Sequence, residues 1–187
     1  MRELSLHILD LLQNSIEAGA TRIVLRIEEN PAQDRFAIFI EDNGCGMDAD
    51  MLKKVLDPFV TTKKTRHVGL GLSLIQMSTS RCDGYLQIDS TPLVGTAVKV
   101  VYRYHHLDRP PLGQISSTVR LMIIANPELD FHYIHRVNDR IFSIATRELI
   151  TRLGDISLCH PEVIGWITEW ITDGITRLYG GACNEND

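Results

Sequence analysis

The chain has 187 residues, a length that suits one large domain or one domain with a small appendage. Hydrophobic residues make up 44% of it and charged residues 23%, as in ordinary globular proteins. The formal net charge is −5 and no Lys/Arg run of five or more occurs, which argues against a nucleic-acid-binding surface. No signal peptide or membrane span is visible, and the four scattered cysteines form no CxxC pair, so we expect a cytoplasmic protein with reduced thiols.

The first half of the chain predicts two pairs of strands with helices between and before them. The expected segments are a helix over 4–18, strands over 21–29 and 35–42, a helix over 48–57 with Asp48 as N-cap, a helix over 72–82, and strands over 84–90 and 95–103. This order predicts an α+β fold, an open α/β sandwich, and not the regular strand–helix alternation of a dinucleotide-binding unit.

The second half begins after a proline-rich stretch, residues 105–113, which we interpret as a linker. Three apolar segments then predict strands, namely "VRLMIIAN" (119–126), "LDFHYIHR" (129–136) and "RIFSIATRE" (140–148), with "VNDR" as a hairpin turn. A short helix over 147–153 and a last helix from Pro161 to just before Gly180 complete the chain. We therefore predict a first domain over 1–104 and a small α+β extension, a short sheet with a terminal helix, over 114–187.

The first helix carries a polar stripe on a mostly apolar sequence. His7, Asp10, Asn14 and Glu17 follow one another at helical spacing and fall within roughly an 80° arc. Taken alone, such a stripe is either a face wetted by solvent or a face turned toward a ligand.

Glycine-rich stretches follow in the same half. In "DNGCGM" (42–47), Asp42 stands at a strand end, where its carboxylate could accept a hydrogen bond from the exocyclic amine of a base. "HVGLGL" (67–72) opens a helix and could offer backbone N–H groups to an anion, and "DPFVTTK" (57–63) offers hydroxyls and Lys63. Each stretch alone is only weak evidence for a ligand-binding site, because tight turns contain the same residue types.

Together, these stretches resemble the GHKL superfamily of ATP-binding proteins, which includes gyrases, heat-shock chaperones, histidine kinases and mismatch-repair ATPases. "DLLQNSIEAGA" is similar to its N box, "DNGCGM" to its G1 box, "DPFVTTK" to its F box and "HVGLGL" to its G2 box. They occur in the family's order, and "GTAVKV" resembles its closing strand, so the match covers about residues 4–103. The resemblance implies a Bergerat fold, a mixed sheet with helices on one face and the nucleotide between helices and a lid.

The resemblance also implies the ligands, ATP and Mg²⁺, and their residues. Asn14 would bind Mg²⁺ through its side-chain oxygen, Asp42 would bind the adenine amino group, and Thr96 would assist at the base edge. Gly44 and Gly46 would let the base approach closely. The implied ATP-binding set is Asn14, Asp42, Gly44, Gly46, Met47, Lys63, Gly69, Leu70, Gly71, Leu72 and Thr96.

The sequence departs from the family pattern at Asp10, four residues before Asn14. The hydrolytic branch usually has Glu there, as general base for water, and most histidine kinases have Asn. Asp10 is our catalytic candidate, as a base toward water or toward a protein hydroxyl, although a slow hydrolase is equally compatible with it. We expect no room upstream for a phosphoacceptor hairpin, so any kinase activity is directed at a separate protein, and His7 is expected to be structural.

Three functions remain open from the sequence. The first is an Mg-ATP-binding regulatory protein that transfers a phosphoryl group to a partner protein or binds it under nucleotide control. The second is an ATP-hydrolysing homodimer of gyrase or mismatch-repair type, and the third is an ATP-binding module without catalysis. In the C-terminal extension, Trp166 and Trp170 either pack on the small sheet or form a docking surface, and His132 and His135 are expected on opposite faces of one strand.

Overall fold

The computed structural model describes residues 3–55 and 71–181. Its elements within these ranges are α1 (Leu4–Glu17), β1 (Arg22–Asn30), a 3₁₀ turn (Pro31–Gln33), β2 (Arg35–Asp42), α2 (Ala49–Lys54), α3 (Gly71–Arg81), β3 (Tyr85–Thr91), β4 (Gly95–Arg103), α4 (Ile115–Ala125), β5 (Asp130–Val137), β6 (Arg140–Ala145), α5 (Thr146–Leu153) and α6 (Pro161–Leu178). In these described ranges, no helix is both long and apolar enough to span a membrane.

A single mixed sheet organises the molecule. Its strand order is β3-β4-β2-β1-β5-β6; β1 and β5 run parallel, and all other neighbours are antiparallel. Neighbouring helices in the order α3, α1, α4 and α6 contact each other across one face of this sheet. This is the α+β, Bergerat-type arrangement that the sequence predicts, with a mixed sheet and helices on one face.

The core lies between this sheet face and the helices. Strand β1 turns Ile23, Leu25 and Ile27 inward with no exposed surface, while the residues between them are half-buried or exposed. Helix α1 joins the same apolar core with its own apolar side, on which Leu4 and Ile8 are 1% exposed. The alternating pattern of the strands and the 3–4 spacing of the helix thus meet in one apolar layer.

Most elements of the first half agree closely with the sequence predictions. Strand β2 has the predicted bounds, and α1 ends one residue earlier than expected. The side chain of Asp48 accepts a hydrogen bond from the Met51 N–H at 2.7 Å and therefore caps α2 as predicted.

The strand prediction for residues 119–126 is wrong, because this segment belongs to helix α4. The buried residues of α4 are Ile115, Thr118, Val119, Met122 and Ile123, which repeat every three to four positions. A short apolar run is compatible with a strand or with a helix, and the helical period becomes clear only when Ile115 and Thr118 are included. The predicted hairpin turn at Asn138 and the predicted start of α6 at Pro161 are both present, whereas the strand predicted over 140–148 ends at Ala145, after which α5 begins.

The C-terminal strands do not form a sheet of their own but extend the first one, because β5 pairs with β1 along its length.

Residues 105–113 also contact the first half of the chain. The N–H groups of Leu4 and Ser5 donate to the Pro111 and Leu112 carbonyls at 2.9 Å. The Arg109 guanidinium lies over the Phe36 ring, 4.9 Å from its centroid. The division of the chain into two domains stays a prediction.

A buried polar cluster joins β1, β5 and the end of α6. The carboxylate of Glu29 accepts hydrogen bonds from His135 Nε2 at 2.9 Å and from the Tyr179 hydroxyl. In the neutral imidazole, Nδ1 of His135 then accepts from the Tyr133 hydroxyl at 2.8 Å. Burial raises the pKa of Glu29, but the hydrogen bonds from His135 and Tyr179 and the charge of Arg109 outweigh it, so this pKa lies below its ordinary value.

Gly174 is the residue at which α6 touches the sheet. A Cβ atom at this position would lie 2.1 Å from Cε2 of Phe142, so any side chain must push α6 away from β6. We expect Gly174→Ala to lower the free energy of unfolding by about 1–3 kcal/mol, measured by urea denaturation. The matched control on the same helix is Gly165→Ala, where nothing lies within 4 Å; it should stabilise by about 0.5–1 kcal/mol. Equal effects of the two changes would contradict this packing.

The Glu29 cluster generates a pH-dependent prediction. Because the folded pKa of Glu29 is lowered, its hydrogen bonds stabilise the fold above the ordinary value of 4.5, and this contribution is lost as pH falls below it. We expect Tyr179→Phe to cost about 1 kcal/mol at pH 7, shifting the thermal midpoint by about 2–4 °C. The difference from wild type should shrink between pH 5 and pH 3, monitored by circular dichroism. The control, Tyr85→Phe at the far edge strand, should show no such dependence on pH.

Candidate functional site

A cavity of about 620 Å³ opens between α1, α2, β2 and β4 at one end of the sheet. Because the sequence resemblance predicts a nucleotide at these residues, it is called the nucleotide cavity below. Its walls are largely apolar and contain polar side chains from α1, β2, α2 and β4. The lining residues are Leu11, Asn14, Ser15, Glu17, Ala18, Ile40, Asp42, Cys45, Gly46, Met47, Asp48, Asp50, Met51, Lys54, Val55, Leu72, Ile88, Thr96 and Val98. A mostly apolar wall with a few convergent polar groups is typical of a small-molecule site.

Asp42 is an acidic residue in the wall of the nucleotide cavity. It is the last residue of β2, and its carboxylate is held at both oxygens: Oδ1 accepts from the Gly44 N–H at 2.9 Å, and Oδ2 accepts from the Ser15 hydroxyl at 2.7 Å. Strand pairing places Asp42 directly opposite Thr96 on β4. A carboxylate and a hydroxyl are therefore side by side, with their orientation fixed before any ligand arrives.

The loop after Asp42 is fixed by contacts with its surroundings. The side chain of Asn43 accepts from the N–H groups of Thr21 and Arg22 at 2.9 and 2.8 Å, which ties the loop to the start of β1. Gly46 has φ +64°, and a Cβ atom there would lie 2.0 Å from the Thr91 carbonyl oxygen. The two-glycine turn therefore reflects close approach of backbone segments in the folded chain.

A small hydroxyl network connects this loop with β4. The Ser90 hydroxyl accepts from the Met47 N–H at 2.8 Å, donates to the Gly95 carbonyl at 3.1 Å and lies 2.9 Å from the Thr96 hydroxyl. Ser90 therefore fixes both Met47 and Thr96, two of the residues predicted for the site.

Helix α1 supplies further polar groups to the cavity. Asn14 and Glu17 of the predicted stripe line the cavity, and His7 is buried with 9% of its surface exposed. Asp10 is exposed, and a Cβ atom on Gly71, the first residue of α3, would lie 3.5 Å from Asp10 Cβ. The stripe thus runs from the cavity to the start of α3.

The structure brings most of the predicted site residues together. Asn14, Asp42, Gly46, Met47, Leu72 and Thr96 line the nucleotide cavity. Gly44 is buried beneath it, next to Ala18, and Gly71 adjoins Asp10. Lys63, Gly69 and Leu70 lie outside the described residues.

Sequence reasoning missed Ser15 and Ser90. Both act on the predicted residues and have no sequence pattern of their own, since isolated serines are common on helices and strands. The one available signal was the position of Ser15, directly after Asn14 and on the buried side of the helix. Leu11, Ile40 and Val98 form part of the apolar wall of the cavity, but their sequence pattern predicts only that they belong to the hydrophobic core.

The residues present fit a magnesium ion bound together with a nucleotide, which Asn14 would help to hold. Within the described ranges, no cluster of three or more His, Cys, Asp or Glu side chains could hold a metal ion. Mg²⁺ bound with a nucleotide usually takes one or two protein ligands and completes its shell with phosphate oxygens and water. The amide of Asn14, at the cavity wall, is a ligand of this kind.

The family model described as "Histidine kinase-, DNA gyrase B-, and HSP90-like ATPase" matches residues 2–106. The chain belongs to this ATPase family. The match ends near the start of the proline-rich stretch, so α4 to α6 and strands β5 and β6 lie beyond it.

Several bacterial sensor proteins resemble this chain in sequence. The signal transduction histidine-protein kinase AtoS of Escherichia coli is 38% identical over 95 residues, which are 50% of this chain and 16% of that protein. A putative sensor protein of Shewanella frigidimarina is 34% identical over 97 residues, 51% of this chain and 15% of that protein. A probable C4-dicarboxylate sensor kinase of Bacillus subtilis is 32% identical over 88 residues, which are 47% of this chain and 16% of that protein. The chain thus spans a small part of these relatives.

A solved structure resembles nearly the whole chain. The N-terminal domain of a DNA repair protein aligns with a TM-score of 0.56 and 16% identity, covering 97% of this chain and 58% of that one. At this identity the likeness concerns the fold alone, and it extends into the C-terminal strands and helices.

Proposed function

We propose that this ATPase-family chain binds Mg-ATP in the nucleotide cavity and controls a separate protein, by phosphoryl transfer to it or by binding it in one nucleotide state. The observation that carries the proposal is the Asp42 carboxylate, held by two hydrogen bonds in the cavity wall and opposite Thr96. The kinase relatives favour a protein substrate or partner. The scattered cysteines favour the cytoplasm as its compartment.

Asp42 would give the cavity a preference for adenine. A carboxylate with both oxygens engaged by donors of the protein still has lone pairs to accept a hydrogen bond from the adenine 6-amino group. Guanine carries a carbonyl oxygen at this position, which a carboxylate repels. The apolar side chains of Ile40 and Val98, which are paired on neighbouring strands in the cavity wall, would lie against one face of such a base, and Thr96 would be available to its edge.

The phosphates would extend from the base toward α1 and the start of α3. Asn14 would hold Mg²⁺, which neutralises phosphate charge, while the backbone N–H groups of Gly69 and Gly71 would donate to phosphate oxygens. Lys63 would add a positive charge and Leu70 and Leu72 would flank the chain. Asp10, one turn before Asn14, is then near the terminal phosphate.

Replacing Asp42 tests the base-recognition step. We expect wild type to bind ATP with micromolar to sub-millimolar affinity, roughly −4 to −8 kcal/mol, in calorimetric titrations with Mg²⁺. Asp42→Ala should weaken binding by about 10- to 100-fold, the value of a charge-assisted hydrogen bond, and should remove discrimination against GTP. Ser15→Ala should weaken it less, because Asp42 then keeps only the Gly44 N–H.

The matched control is Asp89→Ala, which removes an exposed carboxylate from β3 outside the cavity and should leave affinity unchanged. No measurable affinity in wild type, or equal affinity in Asp42→Ala, would refute the proposal.

ATP hydrolysis is the second candidate function, and the position of Asp10 favours it. This carboxylate adjoins the first residue of α3, the helix end at which the terminal phosphate is expected, and it is exposed to water. As a base it would take the proton of an attacking water molecule or of a partner's hydroxyl group.

Asp10→Asn separates these roles. The change keeps the shape of the side chain and removes its basicity, so phosphate release should fall by about 100-fold or more if Asp10 is the base. ATP affinity should stay within about twofold of wild type, since the contacts of Asp42 are unaffected. Phosphate release at the wild-type rate in this variant would exclude Asp10 as the base.

A further inference from the structure

A second concave surface lies at the opposite end of the sheet from the nucleotide cavity. It has a volume of about 720 Å³ and is formed by residues 140–142 of β6, the outer side of α6 and Arg152 of α5. Below it is called the edge groove. None of its lining residues belongs to the nucleotide cavity, and the family model ends before them.

The floor of the edge groove is an unpaired strand edge. β6 is the last strand of the sheet and pairs only with β5 among the described strands. In a two-residue hairpin, Val137 and Arg140 form the first hydrogen-bonded pair, so the N–H and C=O groups of Ile141 and Ser143 point away from β5. Such an edge is a template for another strand.

The wall of the groove presents large aromatic side chains to solvent. Trp166 is 40% exposed, and its ring stacks on Trp170 with 5.1 Å between the centroids. The Arg152 guanidinium lies 5.1 Å from the centre of the Trp170 ring. Ile141 on the neighbouring strand is 55% exposed. Tryptophan and arginine in this arrangement are typical of the centre of a protein–protein interface.

The groove also carries charges of both signs. Arg140, Arg152 and Arg177 provide three positive charges, and Glu169 and Asp173 provide two negative ones. In the described part of the chain, none of these five residues forms an ion pair with another residue. A surface with charges of both signs suits a partner that offers both acidic and basic groups.

We propose that the edge groove binds the edge groove of a second copy of this chain, with the two β6 strands pairing antiparallel about a two-fold axis. A two-fold interface requires that one surface complement itself, which a mixed set of unpaired charges does and a surface of one sign does not. The axis stands perpendicular to the sheet, so the two α6 helices lie side by side on the same face. Glu169 and Asp173 of each copy then face Arg152 and Arg177 of the other.

This dimer leaves both nucleotide cavities at the far ends of a continuous sheet. The strand order places β4 and β2 at the opposite side of the sheet from β6. The association is accordingly independent of nucleotide and distinct from a dimer that closes around ATP.

Charge reversal with complementation tests the proposal. Analytical ultracentrifugation of the full chain should show a wild-type dimer whose dissociation constant does not change with Mg-ATP. E169K/D173K and R152E/R177E should each weaken self-association at least tenfold, because they place like charges across the axis. Mixing the two variants should restore a dimer containing one copy of each, since all cross-axis charges are then opposite again.

Amide hydrogen exchange supplies an independent readout. Residues 140–145 should exchange more slowly in wild type than in either charge-reversed variant at the same protein concentration. Unchanged circular dichroism and ATP affinity in both variants confirm that the fold and the nucleotide cavity are intact, so the two proposals fail separately. A monomeric wild type at about 100 μM, dimerisation that neither variant weakens, or a mixture without heterodimer would overturn the proposal.

Discussion

The register between β2 and β4 is the constraint on which the rest of the site depends. It sets Asp42 opposite Thr96 at the end of the sheet, where α1 can place the Ser15 hydroxyl on the Asp42 carboxylate. A shift of one residue would turn Asp42 to the other face of the sheet, away from α1. The glycine turn that follows holds this register, because Gly46 lies against the backbone of Thr91 and Gly95 lies against that of Asp42.

The same sheet connects the nucleotide cavity with the C-terminal segment. Strand β1 lies between β2, which carries Asp42, and β5, which starts the C-terminal strand pair. Glu29 on β1 binds His135 of β5 and Tyr179 after α6, so the two halves share buried charge as well as apolar surface. Removing one member of such a cluster leaves the other polar groups buried without a partner. The resulting loss in the free energy of unfolding is larger than the contribution that an exposed ion pair makes to it.

Much of the fold was predictable because local patterns and the final structure agree. Strand β1 alternates between buried and half-buried residues, and α6 starts at a proline and keeps one apolar side. Helix α4 was not predicted, since an apolar run such as "RLMIIA" is compatible with either period. The joining of β5 to β1 was also invisible, because a parallel pairing across the chain leaves no local mark in either segment.

The site was predictable at the residues that contact a ligand in the resembled family, and much less so at those that support them. Asp42, Asn14 and Thr96 converge on one cavity, as expected. Ser15 and Ser90 have no distinctive sequence context, and the partners Glu29 and His135 are 106 positions apart in the chain. Such contacts result from tertiary packing between distant segments. They leave no local pattern in the sequence from which they could be predicted.

The most direct test of the account is a crystal structure of the chain with Mg²⁺ and a non-hydrolysable ATP analogue. It should place the adenine amino group within hydrogen-bonding distance of Asp42, and the metal ion beside Asn14. Nucleotide bound elsewhere, or an empty cavity at saturating concentration of the analogue, would contradict the assignment of this cavity to ATP.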